Sequence, residues 1–204
     1  MTNPASGSVV GNSLVSFMSG MTPATRENVQ LALLFAEKAT TDVIREGSTI
    51  DPYTHYRNQL KYLGWDIQLP LERDDRAARR TVVESALAAI DVAGPGFRDS
   101  TQWAVNALHD NRAALFHFEQ RSFESQTFRL IPCQSVSAYH VNLVLYQQGL
   151  AKEQLRSGFL SRERVVVEVR AELVRFDVGV FENDFKSRVL RSLRSGFEKR
   201  IIAL

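Results

Sequence analysis

Apolar residues in the first half of the chain recur with a period near 3.6, and beyond about residue 126 they recur every second residue. Thr22-Pro23 reads as the N-cap and first residue of a helix, because the fixed φ of proline suits that position. That helix runs through Val29 and Leu31 to Ala36, apolar nearly all round, and ends near Gly47. Asp51-Pro52 repeats the start signal. Tyr53, Tyr56, Leu60 and Leu63 then share one face, and Gly64 follows as the C-terminal glycine. Trp65, Ile67 and Leu69 predict a short strand stopped by Pro70.

A third helix is predicted to open at Asp75 and to stop at Gly94-Pro95-Gly96. A fourth, opening near Asp99 or Ser100, carries Trp103, Leu108, Leu115, Phe116 and Phe118. Strands follow. Phe128, Leu130 and Pro132 pair with Val141, Leu143 and Leu145 as a hairpin. Val165 to Leu173 forms a strand with Glu168, Arg170 and Glu172 outward. Phe176, Val178 and Val180 alternate with opposite parity, which calls for a bulge near Val174-Arg175. From about Asn183, Phe185, Val189, Leu193, Phe197 and Ile201 make the seam of a last helix. The fold class is α+β: N-terminal helices packed on an antiparallel β-meander, closed by a C-terminal amphipathic helix.

Two stretches change the picture of organisation and surface. Residues 1–21 hold no charged side chain and three glycines, and read as a flexible arm ahead of a single domain at 22–204. They lack the basic start of a secretory signal, so the expected location is the cytoplasm, or export without a classical signal peptide. Lys186 to Leu204 carries +5 while the rest of the chain carries −3, within a net charge of +2. Lys186, Arg188, Arg191, Arg194, Lys199 and Arg200 are therefore candidates for contact with an anionic membrane or an acidic partner. The same residues also suit a solvated face over a packed seam. Nucleic acid is not expected, because no aromatic residues interleave with this basic run. Self-association through an open sheet edge is a further expectation.

Catalytic signatures are few. There is no G-x-S-x-G elbow, no phosphate loop, and no ligand spacing among the four histidines, so no metal and no cofactor are expected. The exception is Cys133, the single cysteine. With the hairpin turn centred between Val136 and Ser137, Cys133 stands opposite His140, close enough for an imidazole to lower the thiol pKa. That makes Cys133 with His140 a candidate nucleophile or acylation site. The competing reading is a small buried hydrophobe.

Thr25, Val29, Leu33-Leu34-Phe35-Ala36, Tyr53, Tyr56, Leu60, Leu63-Gly64-Trp65 and Phe128 to Pro132-Cys133 together resemble a loose group of small α+β proteins of bacteria and some fungi. That group is related to the Evf-type virulence factor of insect-associated bacteria. The resemblance implies a non-enzymatic, virulence-associated interaction protein that contacts lipid or membrane. It also implies a covalent fatty acyl group, for which Cys133 is the one possible residue. The alternative is a thiol-dependent enzyme or an S-acylated carrier using Cys133 with His140.

Overall fold

A computed structural model describes residues 3–73, 80–150, 158, 160, 163–164, 169–193 and 200–204. The chain is α+β, and its seven-stranded sheet lies between two layers of helices. In chain order the elements begin with β1 (Ser6–Val10), β2 (Ser13–Phe17), α1 (Pro23–Arg45), α2 (Pro52–Tyr62) and β3 (Trp65–Arg73). Next come β4 (Arg80–Thr81), α3 (Val82–Ala93), α4 (Arg98–Asp110), α5 (Arg112–Ser125), β5 (Thr127–Ser135) and β6 (His140–Gly149). The last are β7 (Glu163–Arg164), β8 (Val169–Asp177), α6 (Val178–Val180), a π-helical segment (Phe181–Phe185), α7 (Lys186–Leu193) and β9 (Ile201–Ala203).

Strand order in the main sheet is β3-β8-β6-β5-β2-β1-β9. Every pairing is antiparallel except β2 with β5, which is parallel. The stretch expected to be a flexible arm is thus a hairpin built into the sheet. The Gly11-Asn12 turn between Val10 and Ser13 closes it, with Gly11 at φ +58, a conformation that glycine adopts without a Cβ penalty.

Both faces of the sheet are covered. One core holds Ile131, Cys133, Val141, Leu143, Val174 and Phe176 beneath α1, α2 and α7. The other holds Phe128, Leu130, Val144, Tyr146 and Ala171 beneath α3, α4 and α5. This double burial overturns the expected facing. Leu130 pairs with Tyr146 and Cys133 with Leu143, so Phe128 and Leu130 lie on the opposite face from Val141 and Leu143. It also removes the need for a bulge at Val174-Arg175. β8 runs unbroken from Val169 to Asp177, and its change of parity marks only which helical layer each side chain meets. The irregularity lies in β3, between Ile67 and Pro70, where an edge strand tolerates the missing N–H of proline.

The helix starts at Thr22-Pro23 and Asp51-Pro52 stand as expected, with Thr22 accepting from the Thr25 N–H and Asp51 from the Thr54 N–H. The third helix is capped by Thr81 in a capping box with Glu84; Asp75 lies outside the described residues. The single fourth helix is two, broken at Asn111, which caps α5. Trp103 on α4 and Phe116 on α5 are both exposed rather than in the core. At the other end of the chain, α7 keeps Val189 and Leu193 buried, but Ile201 is in β9, paired with Val10. The chain therefore closes on an edge strand rather than on the amphipathic helix expected to reach it. Tilted and edge-to-face contacts link Trp65, Phe176 and Phe181 at 4.9 and 5.4 Å, each adding about 0.5–1.5 kcal/mol beyond area burial.

Candidate functional site

Cys133 and His140 do not meet. Cys133 pairs with Leu143, three residues further along β6, and its row across the sheet is apolar: Phe17, Cys133, Leu143, Val174. Its Sγ is fully buried and donates to the Ile131 carbonyl at 3.4 Å. Burial pushes the thiol pKa far up, so at neutral pH it is protonated, the opposite of a nucleophilic cysteine. His140 sits at the exposed start of β6. There its Nδ1 shares a hydrogen bond with Ser137 Oγ at 3.0 Å, and its Nε2 lies 3.8 Å from Asp177.

Of the six basic candidates, Lys186, Arg188 and Arg191 lie on α7. Arg200 precedes β9, and Arg194 and Lys199 lie outside the described residues. The Lys186 ammonium pairs with Glu27 at 3.2 Å. Arg188 donates to the Tyr62 hydroxyl and lies over the Tyr62 ring at 5.9 Å, while Tyr62 packs edge-on against Phe185 at 5.1 Å. A continuous surface leads from there to the β5–β6 hairpin tip. Val180 packs beside Gly64, two residues beyond Tyr62, and Gly179 lies beside Tyr139, whose carbonyl accepts from the Val178 N–H at 2.8 Å. Tyr62, Val136, Tyr139 and Val180 are all exposed on this end of the molecule, Tyr139 by 66%.

The opposite end of the same sheet face is polar, and the sequence reading missed it. Four residues along the strands from Cys133, roughly 13 Å away, the row is Ser13, Arg129, Gln147, Arg170 and Glu72 across five strands. Two of these residues meet groups from α2 and its cap: Arg129 the Tyr56 ring, and Arg170 the Tyr53 ring and Asp51. Arg129, 4% exposed, donates from Nε to Gln147 Oε1 at 2.8 Å and from Nη1 to Asn12 Oδ1 at 2.6 Å, and stacks on the Tyr56 ring at 3.7 Å. Asn12 also donates its backbone N–H to Glu37 Oε2 at 3.2 Å and its amide to Ser125 Oγ at 2.9 Å. Glu37, half-buried, lies against Gly11, where a Cβ would fall 1.9 Å from Oε2. Burial raises its pKa, opposed by the Arg129 charge and the Asn12 N–H. On β8 of the same sheet Glu172, 3% exposed, binds Arg57 at 2.9 Å.

A cavity of about 360 Å³ opens at this end, lined by Asp51, Tyr53, Thr127, Gln147, Leu150 and Arg170 among others. Arg170 donates to Asp51 at 2.7 Å and lies over the Tyr53 ring at 4.7 Å. Burial alone would raise the Asp51 pKa. The hydrogen bonds from Arg170 and Thr54 outweigh it and hold the carboxyl below its ordinary range. The signal that could have found this end is Gly11-Asn12 between two short apolar runs, a hairpin signature that fixes Asn12 in the network. Among the described residues no cluster of His, Cys, Asp and Glu could hold a metal ion, and no helix is long and apolar enough to cross a membrane.

No family model and no curated protein matches the chain. Among solved structures it is similar to the Evf virulence factor (TM-score 0.34, 11% identity, 94% of this chain and 84% of that one). It is also similar to a delta-endotoxin (TM-score 0.44, 11% identity, 82% of this chain and 83% of that one).

Proposed function

We propose that this chain is a non-enzymatic interaction protein that contacts an anionic lipid surface with the end bearing Tyr62, Tyr139 and α7. One observation carries the reading: exposed aromatic and apolar side chains gather at that end beside outward-pointing cations. Tyr62, Tyr139, Val136 and Val180 are exposed there, with Arg188 stacked on Tyr62 and Arg191 solvent-facing. Aromatic rings with a polar tip suit the headgroup layer, and basic residues at a lipid surface contribute about 1 kcal/mol each. Two nearby acids are engaged in the fold: Glu182 accepts from Asn28 at 2.7 Å, and Asp177 caps the Val180 N–H at 2.9 Å. The thiol chemistry has no comparable support, since Cys133 is enclosed and His140 is elsewhere.

Co-sedimentation with phosphatidylglycerol and phosphatidylcholine vesicles at low salt tests this. The expected result is binding to the anionic vesicles, weakened by salt and by Val136→Ser with Tyr139→Ser, two exposed positions whose change leaves the core intact. Absence of binding to phosphatidylglycerol at low salt would remove the reading.

A further inference from the structure

The strongest unassigned feature is the cavity at the polar end of the sheet, because the hydrogen-bond network dictates what its wall presents. Arg129 can only donate, so the Gln147 amide must turn its oxygen to Arg129 Nε. The Gln147 NH₂ is thereby directed away from Arg129. It has no partner among the described residues, on a side chain 93% buried that lines the cavity. Gln147 Nε2 is not one of the sealed, unmatched polar atoms of the core, so solvent and a ligand oxygen can reach it alike.

The remaining lining decides the class of ligand. Asp51 and Arg170 are opposite charges already joined at 2.7 Å, so the lining offers a donor and an acceptor without net charge. Thr127 and Ser125 add hydroxyls, and Pro52 and Leu150 add apolar surface. An anion would meet the Asp51 carboxylate and a cation the Arg170 guanidinium. A molecule carrying several hydroxyls, each both donor and acceptor, meets neither penalty. The volume of about 360 Å³ falls within the roughly 300–1,000 Å³ of small-molecule sites.

We propose that this cavity binds a small, uncharged, polyhydroxylated molecule of the sugar class, with the Gln147 amide, Asp51 and Arg170 as its polar contacts. The site is separate from the aromatic end and does not depend on membrane contact.

The unaltered protein provides the first test, which leaves Arg129 undisturbed. The side-chain NH₂ resonances of Gln147 are followed by ¹H–¹⁵N NMR while glucose, mannose, N-acetylglucosamine or cellobiose is added. Acetate, succinate and inorganic phosphate form a second arm. At least one sugar is expected to move the Gln147 signals saturably, with the anions giving no saturable shift. No shift with any of the sugars up to about 50 mM, well above a Kd of ~1 mM, overturns the proposal, as does preference for an anion. In Asp51→Asn, which preserves the helix cap, sugar affinity should fall about tenfold as a charge-assisted acceptor is lost. Unchanged affinity would place the sugar elsewhere and overturn the assignment.

Discussion

The Arg129 guanidinium lies over the Tyr56 ring, 3.7 Å from its centre, inside the protein rather than at its surface. The charge is tolerable there because the ring face, Gln147 and Asn12 replace its water, and because the Glu37 carboxyl is close enough for its titration to feel Arg129. Arg129→Met strips the partner from three of these groups at once and should lower unfolding free energy by about 3–5 kcal/mol in urea titrations. Arg129→Lys should recover little of it, since an ammonium cannot form the planar fork that serves Gln147 and Asn12 together. A loss under about 1 kcal/mol for Arg129→Met would show that the network does not hold this end together.

Glu37 sets a pH dependence whose sign differs from that of a salt-bridged carboxylate. Burial keeps its folded pKa above the ordinary 4.5, so in the interval above 4.5 the folded state holds a proton that the unfolded chain has released. The contribution of this group to stability is complete below the unfolded value and is lost as pH rises through the folded one. Glu37→Gln should remove that part of the slope while keeping an oxygen for the Asn12 N–H. Paired denaturation curves across the acid range check it, and an unchanged slope in Glu37→Gln counts against it.

Cys133 should behave as a core side chain. In the native protein it should resist iodoacetamide and react once the chain is unfolded in urea, read by intact mass. Cys133→Ser should cost about 1–3 kcal/mol more than Cys133→Ala, because a hydroxyl in this apolar row has only the Ile131 carbonyl within reach of the present thiol. Rapid alkylation under native conditions would reopen the thiol as a reactive site.

The sequence announced its helices better than the sheet. Thr22-Pro23, Asp51-Pro52 and Gly64 are local signals, and the structure uses each where the pattern put it. The strand facing failed because alternation names a core side only when the other side is wet. Here Leu143-Val144-Leu145-Tyr146 is buried on both faces, so parity carried no such information, and the Cys133–His140 juxtaposition fell with it. Glu172 illustrates the same limit. Within its strand it reads as a solvated acid, and only Arg57 from α2 explains its burial. Asn12, Arg129 and Gln147 belong to one network because β2 runs parallel to β5, more than a hundred residues later, and no local pattern encodes that pairing.

β1 carries a consequence for the order in which the protein is made. Its inner edge bonds to β2, which waits for residues 129–133, and its outer edge is bonded by Ile201–Ala203, further still along the chain. β1 thus leaves the ribosome long before the strand that seals its outer edge. Until Ile201–Ala203 emerges, Ser8–Val10 offers bare amides and carbonyls to any neighbouring nascent chain.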